Sequence, residues 1–228
     1  MTICIIPARS GSKRIKNKNI KKINQIPLIG IVINIAKKSK LFSRIIVSTD
    51  SPKIALISKK YGAEAPFLRS KKLSDDFTPT HKVIIDVINK VGSAKEEFHF
   101  CIYPTSVLID TSDLKKALFK IKKTKANFIC PIAKFESSPF RSFFIKKTYI
   151  QHTWPLFKLK RSQDLKDLYY DTGSFYIYRT SSLLKIKNQN FLPNKSTYIT
   201  LKKKLIDVNY PKDLKALKKK LKKNRYNK

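Results

Sequence analysis

Four cationic side chains surround the loop that follows the first apolar run of the chain. Residues 2–8 read TICIIPA, and this run is predicted to be a buried strand because it is short, apolar and followed by turn-forming residues. The cations are Arg9, Lys13, Arg14 and Lys18. Gly11, in their midst, tolerates positive φ and close backbone approach, so successive N–H groups can converge on an anion. The pattern predicts a binding site for a triphosphate.

The same residues also fit an ordinary solvated turn. The chain holds 50 Lys and Arg against 15 Asp and Glu, a net charge of +35, so most windows are basic. Neither G-x-G-x-x-G nor G-x-x-x-x-G-K-[ST] is present. Spacing alone leaves both interpretations open.

The whole string IPARSGSKRIKNKN resembles the opening motif of the cytidylyltransferases that activate sialic-acid-like sugars as CMP conjugates. That family typically shows I-P-A-R-x-G-S-K-x-x-x-x-K-N, and Ser10 stands where many members have a second glycine. In the family, this loop (residues 8–19, the first loop) wraps the triphosphate of CTP and begins the cytidine pocket. The resemblance implies nucleotide binding by Ala8, Arg9, Ser10, Gly11, Ser12 and Asn19. It implies catalytic roles for Arg9, Lys13 and Lys18, which would gather the triphosphate.

Two later segments extend the resemblance around the nucleotide. GAEAPFLRS, residues 62–70, is similar to the family's GA-x-x-P-F-x-R-P and implies that Arg69 lies near the nucleotide. LSDDFTPT, residues 73–80 (the acidic segment), resembles the L-x-D-D-x-T-x-T of pseudaminic acid cytidylyltransferases and adds Asp76 to the nucleotide site. From the residues alone, Asp75 and Asp76 fit a helix cap equally well.

The sugar site is implied by two further strings. YPTSVLID, residues 103–110, occupies the position of the family's Q-P-T-S-P, with a tyrosine in place of the glutamine that touches the sugar in sialic acid enzymes. KRSQDLKDLYYDTGSFYIY, residues 160–178, resembles a string of the pseudaminate group. The implied sugar contacts are Tyr103, Thr105, Ser106, Gln163 and Asp171. The expected substrate is therefore a nine-carbon 2-keto sugar acid, pseudaminic acid first, with N-acetylneuraminic or legionaminic acid as alternatives.

The implied metal site lies in LIDVNYPKDL, residues 205–214. Family members usually show D-x-D, which holds magnesium against the triphosphate. Asp207 matches the first carboxylate, whereas Asn209 replaces the second with an amide, which can ligate Mg²⁺ but brings no charge. The resemblance implies Mg²⁺ as cofactor, bound by Asp207 and Asn209, with a catalytic role for Asp207. A cap on the helix at Pro211 is the alternative for Asp207.

Apolar runs that alternate with amphipathic stretches predict an α/β fold. We expect one Rossmann-like domain over residues 1–228, a mainly parallel sheet with helices on both faces and ligands at the carboxyl ends of its strands. The predicted strands are 2–8, 44–50, 98–104, 126–133, 173–179 and a short one just before Pro211. The predicted helices are 27–42, 51–62, 83–91, 111–124 and one from about Pro211, followed by a basic tail at 219–228.

Residues 136–170 break this rhythm. FRSFFIKKTYIQHTW alternates in polarity and predicts a hairpin or protruding arm. In the family, a segment at this place packs on a second subunit. The resemblance therefore implies a homodimer that buries Phe140, Phe143, Phe144 or Trp154.

Composition excludes several other classes of protein. No run of eighteen apolar residues is present, so no membrane span is expected, and the N-terminus lacks the pattern of a signal peptide, so a cytoplasmic location is expected. Cys4, Cys101 and Cys130 are odd in number and lack C-x-x-C spacing, which predicts buried, reduced thiols.

The net charge also raises a hypothesis from a different class, a non-catalytic nucleic-acid-binding protein. A polycation gains affinity for nucleic acid by releasing counterions. However, lysine supplies nearly all the charge, it is scattered along the chain, and most aromatics lie in strand-like runs. Proteins that recognise specific bases favour arginine, and proteins that bind single strands expose aromatic side chains. No specific nucleic-acid partner is therefore expected.

Overall fold

A seven-stranded sheet organises the chain. The structure is a computed structural model and describes residues 2–186, 192–201 and 205–226. The strands are β1 Thr2–Pro7, β2 Lys22–Ile23, β3 Ile26–Pro27, β4 Arg44–Ser48, β5 Phe98–Ile102, β6 Phe128–Lys134, β7 Phe143–Lys146, β8 Tyr149–His152, β9 Tyr169–Asp171, β10 Phe175–Arg179 and β11 Ser196–Thr200. The helices are α1 Leu28–Ser39, α2 Pro52–Lys60, α3 Thr80–Val91, α4 Thr111–Thr124, α5 Thr180–Leu183 and α6 Pro211–Tyr226.

The sheet has the strand order β11-β6-β10-β5-β1-β4, and β9 pairs with β6. β1 runs parallel to β4 and β5, and β6 runs parallel to β11. β10 is antiparallel to both β5 and β6, and β9 is antiparallel to β6. Five strands thus share one direction, which confirms the mainly parallel sheet. The carboxyl ends of β1, β4 and β5 meet at one edge, where the fold class places its ligands.

Helices cover both faces of the sheet, as predicted. Side chains of a strand alternate between its two faces, so Cys4 and Ile6 of β1 join the core formed with α1, α4 and α6. Ile3 and Ile5 point the other way and pack with α3 and α5. The two cores fix β1, and with it the start of the first loop.

The C-terminal part differs from its prediction. Residues 205–210 form no strand; Leu205, Ile206 and Val208 instead pack against the core as irregular chain. The strand beside β6 is β11, earlier in the sequence. The helix does begin at Pro211, but it continues to Tyr226, so residues 219–226 belong to α6 and not to a frayed tail. Residues 227–228 lie outside the described residues.

The predicted hairpin is present within residues 136–170. β7 and β8 pair with each other as a separate two-stranded sheet. Phe143, Phe144 and Trp154 are about half exposed, whereas Phe140 packs inside the segment against Phe157, with ring centroids 4.2 Å apart. The hairpin therefore presents an apolar surface to solvent.

Burial agrees with the expected state of the cysteines. All three thiols are free and buried. Across residues 2–186, 192–201 and 205–226, no helix is both long enough and apolar enough to cross a membrane.

Candidate active site

The first loop is fastened to the end of β4. The amide of Ala8 donates to the carbonyl of Ser48 at 2.9 Å. The amide and the hydroxyl of Ser10 donate to the two carboxylate oxygens of Asp50 at 2.7 and 2.6 Å. Burial opposes the ionisation of Asp50, but the hydrogen bonds from Ser10 outweigh it and lower the pKa of the carboxyl. Asp50 thus holds the first loop in place at Ser10, and the two hydrogen bonds from Ser10 stabilise the negative charge of its carboxylate.

A cleft of about 440 Å³ opens beside this loop at the carboxyl edge of the sheet. Small-molecule sites commonly have volumes of roughly 300–1,000 Å³. The described residues that line it are Pro7, Arg9, Ser12, Lys13, Arg14, Ile15, Lys18, Asn19, Arg69, Leu73, Asp75, Asp76, Thr78, Thr80, Val83, Tyr103, Pro104, Thr105 and Asn209. Five of them are cationic and two are anionic, so the cleft suits an anion.

Lys18 and Asn19 lie where the first loop turns back toward the core. Lys18 is half-buried, and its Nζ donates to the main-chain carbonyl of Val208 at 2.9 Å. Burial lowers the pKa of Lys18, and the nearby Asp207 carboxylate partly opposes this. Asn19 is buried and donates from Nδ2 to the carbonyl of Arg9 at 2.9 Å. The cleft therefore holds a partly desolvated ammonium, a strong partner for a phosphate.

Arg69 supplies a second buried cation. Arg69 is only 5% exposed, and its main-chain amide donates to the carbonyl of Thr49 at 2.8 Å. The guanidinium Nε donates to the Ser74 hydroxyl at 3.2 Å. Burial lowers the pKa of Arg69. The side chain is thus fixed in the cleft wall.

The acidic segment contacts the first loop directly. Arg9 pairs with one oxygen of the Asp76 carboxylate, and Lys13 pairs with the other at 2.6 Å. Arg9 also donates to the main-chain carbonyl of Asp75. The Asp75 carboxylate accepts the amide of Thr78 at 2.6 Å, which closes a turn before α3. The helix-cap interpretation is therefore wrong for both acids, because Asp75 stabilises a turn and Asp76 pairs with cations.

The predicted sugar residues divide into two groups. Tyr103 and Thr105 line the cleft, and the Tyr103 hydroxyl lies 2.7 Å from the hydroxyl of Thr80. Burial raises the pKa of Tyr103, so its hydroxyl is neutral. Ser106 donates to the carbonyl of Ser174 at 2.6 Å and borders a small adjoining cavity beside Asp207.

Asp171 and Gln163 lie outside the residues found to line the cleft. The Asp171 carboxylate accepts the amide of Gly173 at 2.8 Å and the hydroxyl of Tyr176. The Tyr176 ring in turn stands edge-on to Tyr103, with centroids 5.8 Å apart. Asp171 therefore supports the wall behind Tyr103, whereas Gln163 is exposed on a turn of the 136–170 segment.

The candidate metal ligands are adjacent. Asn209 lines the cleft, and its side-chain nitrogen donates to the Asp207 carboxylate. Asp207 does not cap α6: Asp213 does so, by accepting the amides of Asn209 and Tyr210 at 2.9 and 2.7 Å. Within the part of the chain that the structure describes, no group of three or more His, Cys, Asp or Glu could hold a metal. One carboxylate and one amide fit Mg²⁺ that is shared with substrate phosphates, its usual mode of binding.

Gly11 tolerates positive φ but does not adopt it here. Its φ lies outside the left-handed region, unlike those of Gly62, Gly92 and Gly173. A Cβ added at Gly11 would meet no atom within 4 Å. The absence of a side chain at Gly11 therefore leaves open space in front of the loop, which permits the close approach of a ligand to the backbone.

The cleft unites most of the predicted site. It brings together Arg9, Ser12, Lys13, Lys18, Asn19, Arg69, Asp76, Tyr103, Thr105 and Asn209. Placed beside it or away from it are Ala8, Ser10, Gly11, Ser106, Gln163, Asp171 and Asp207. The roles of both groups stay predictions.

Arg14, one of the four cations of the first loop, and Thr80 also belong to the cleft, although neither was assigned a specific role in it from the sequence. Arg14 lines the cleft and lies over the ring of Tyr210, 5.4 Å from its centroid. Thr80 lines the cleft and meets Tyr103. Their signals were the cationic run of the first loop and the repeated threonines of the acidic segment.

The comparisons with known proteins agree on one family. The family described as "Cytidylyltransferase" matches residues 3–225. The chain is 34% identical over 215 residues to the pseudaminic acid cytidylyltransferase of Campylobacter jejuni, covering 93% of this chain and 92% of the relative. It is 43% identical over 110 residues to the CMP-N,N'-diacetyllegionaminic acid synthase of the same species, covering 48% and 45%. The fold is similar to that of a CMP:2-keto-3-deoxy-manno-octonic acid synthetase complexed with CTP, with a TM-score of 0.74, 16% identity and coverage of 98% and 99%. The chain therefore belongs to the cytidylyltransferase family.

Proposed function

We propose that this chain transfers the cytidylyl group of CTP to pseudaminic acid and releases pyrophosphate. The observation that carries the proposal is the cleft itself, which places five cations from two segments at the carboxyl edge of the sheet. The 34% identity to a pseudaminic acid cytidylyltransferase, over nearly the full length of both chains, supports the choice of reaction and sugar.

In this reaction the anomeric hydroxyl of the sugar acid attacks the α-phosphorus of CTP, and pyrophosphate leaves in line. The protein contributes positioning and charge. Lys18 presents a partly desolvated ammonium to the phosphates, and Arg9 and Lys13 add charge at the mouth of the cleft. Arg69 and Asn19, both buried in the wall, would shape the cytidine pocket.

We further propose that Asp207 and Asn209 hold Mg²⁺ together with phosphate oxygens. When bound there, the metal would offset negative charge on the leaving group. The contact between Lys18 and Val208 supports this assignment, because it places the segment of Asp207 beside the cation of the first loop. Asp213 accepts the amide of Tyr210 at the start of α6. Asp207 is therefore not needed as the cap of this helix.

The sugar acid would lie toward Tyr103 and Thr105. Burial keeps the Tyr103 hydroxyl neutral, and this hydroxyl contacts that of Thr80, so this wall offers hydroxyl groups and an aromatic face. Such a wall suits the hydroxyls and acetamido groups of a nine-carbon acid. N,N'-diacetyllegionaminic acid is the second candidate, favoured by the 43% identity over 110 residues.

We also propose that the chain forms a homodimer through the hairpin of residues 136–170. Strands β7 and β8 expose apolar side chains, with the opposed Ile145 and Ile150 at 76% and 66% exposure. Contiguous exposed apolar surface of this kind commonly marks an interface. A second copy would cover it by two-fold symmetry.

The test of the proposed reaction is the initial rate of pyrophosphate release with CTP and magnesium. Pseudaminic, N,N'-diacetyllegionaminic and N-acetylneuraminic acids are compared at equal concentrations. The proposal expects the highest kcat/KM with pseudaminic acid. A higher value with either other acid would replace the substrate while keeping the reaction, and no release with any acid would reject the reaction.

A further inference from the structure

We propose that the Asp76 carboxylate competes with the triphosphate for Arg9 and Lys13, and so is a positioning residue that sets the affinity for nucleotide and pyrophosphate. The inference rests on the proposed function. It gives Asp76 a role opposite to the nucleotide contact that the family resemblance implied.

The geometry places one anion on two phosphate-binding cations. One carboxylate oxygen of Asp76 pairs with the Arg9 guanidinium, and the other pairs with Lys13 Nζ at 2.6 Å. Two oxygens on two cations is also how a phosphate group uses such donors. The lowered pKa of Asp76, caused first by Lys13 and then by Arg9, keeps this carboxylate ionised at neutral pH.

The ion pairs of Asp76 with Arg9 and Lys13 are exchangeable, unlike the contacts of Lys18 and Arg69. The side chains of Arg9 and Lys13 are 34% and 81% exposed, and ion pairs in such settings are weak. Lys18 is half-buried on a main-chain carbonyl, and Arg69 is buried in the wall. Among the five cations of the cleft, Lys18 and Arg69 are thus fixed, whereas Arg9 and Lys13 can be taken over by an incoming anion.

The number of negative charges decides whether the triphosphate or the Asp76 carboxylate binds Arg9 and Lys13. A triphosphate and the Asp76 carboxylate cannot share the same two cations without like-charge repulsion at short range. The triphosphate carries several charges and also reaches Lys18, so it displaces the single carboxylate. Asp76 can withdraw without unfolding its segment, because the turn is held by the neighbouring Asp75 through the amide of Thr78.

The same competition acts on the product. After transfer, pyrophosphate occupies the donors that Asp76 uses, and the carboxylate is close enough to reclaim them. Asp76 would therefore weaken the binding of both CTP and pyrophosphate. Removing its charge should tighten both by a similar factor, which a purely structural role would not produce.

The test compares the wild type with Asp76→Asn by calorimetric titration of CTP and of inorganic tripolyphosphate, at fixed ionic strength without added divalent metal. We expect Asp76→Asn to bind both ligands more tightly by roughly fivefold. Product inhibition by pyrophosphate should strengthen to a similar degree. Asp76→Glu, which restores the charge, should return both affinities toward the wild type.

Asp167→Asn is the matched control. It removes one carboxylate that pairs with Lys134 at 2.6 Å, on a segment that does not line the cleft in the described structure. Its affinities should equal those of the wild type. Melting temperatures verify that every variant is folded.

The outcomes separate this inference from the proposed function. Unchanged or weaker binding of both ligands by Asp76→Asn would overturn the competition, while pyrophosphate release would still support the reaction. Tighter tripolyphosphate binding with no CTP binding by any form would support the competition and reject the nucleotide. Failure of the folded wild type to bind either ligand would reject both.

Discussion

Lys18 Nζ donates a 2.9 Å hydrogen bond to the main-chain carbonyl of Val208. This contact joins the first loop to the segment that carries Asp207 and Asn209. Arg14 adds a second tie by lying over the ring of Tyr210. The proposed phosphate site and the proposed metal site therefore form one unit, although they are far apart in the sequence.

Lys18→Met should lower kcat/KM for transfer by about 10²-fold, because misplacing a phosphate at this point costs orders of magnitude. Methionine keeps most of the apolar stem, so the melting temperature should change little. The measurement is steady-state pyrophosphate release. Lys16→Met is the matched control, since Lys16 is exposed in the same loop and is not among the cleft residues described above. Near-normal kinetics for Lys18→Met would remove Lys18 from the site.

Asp207→Ala should abolish transfer, whereas Asn209→Asp should preserve it and lower the magnesium concentration needed for half-maximal rate. A new carboxylate attracts the divalent ion, by on the order of 1 kcal/mol or more at 4 Å. The measurement is a magnesium titration of initial rates. If Asp207→Ala keeps the wild-type magnesium dependence, Asp207 does not hold the metal.

A comparison of Asp213→Ala with Asp207→Ala should show which of the two residues caps α6. In Asp213→Ala, loss of the bonds to the amides of Asn209 and Tyr210 should lower the free energy of unfolding, because Asp213 accepts amides at the start of α6. Asp207→Ala should leave this free energy nearly unchanged. Chemical denaturation of the two variants checks the contrast, and the reverse order would show that Asp207 is the cap.

Gly11→Ala should raise the KM for CTP severalfold without lowering the melting temperature. A Cβ at Gly11 meets no protein atom within 4 Å, so it disturbs only a ligand that approaches the loop. Gly92→Ala is the opposite control. Gly92 ends α3 at φ +66, and alanine is strained there, so melting temperature should fall while kinetics of the folded enzyme stay normal. Unchanged KM in Gly11→Ala would mean that phosphates do not approach this point.

Residues of the candidate site could be predicted from the sequence where a single motif specifies both the chemical groups and the local fold. The first loop follows the apolar strand β1, and residues 103–106 follow the apolar strand β5. Because these strands are parallel, the residues that follow them lie at the same edge of the sheet. The pattern failed where apolar residues pack without a partner strand, as for Leu205, Ile206 and Val208. It also did not show that Asp76 reaches Arg9 and Lys13, because a contact between distant loops leaves no periodic trace.

Ile145→Asp should convert a dimer into a monomer. Ile145 and its cross-strand partner Ile150 are exposed on the hairpin, and a charge there cannot be buried at an interface without a large cost. Sedimentation velocity at micromolar concentration is the measurement. Leu56→Asp, on the exposed surface of α2, should remain dimeric. A wild-type monomer with full activity would contradict the proposed dimer.

Stability should fall as the pH decreases from about 6.5 to about 4. His99 is buried between the hydroxyls of Ser93 and Thr180, and burial lowers its pKa to about 4. In this window the unfolded chain binds a proton at His99 that the folded chain does not, so acid favours unfolding, by on the order of 3 kcal/mol across the window. Denaturant titrations of the wild type and His99→Gln should show a flatter pH dependence in the variant. Parallel curves would contradict this role of His99.

The most direct test of the central claim is the identity of the products made from CTP and pseudaminic acid. Phosphorus NMR of the reaction with magnesium should show CMP-pseudaminic acid and pyrophosphate appearing in equal amounts as CTP disappears. The same mixture with Lys18→Met should remain almost unchanged over that time. Unreacted CTP in the presence of folded wild-type protein, or its conversion to any other nucleotide product, would contradict the account.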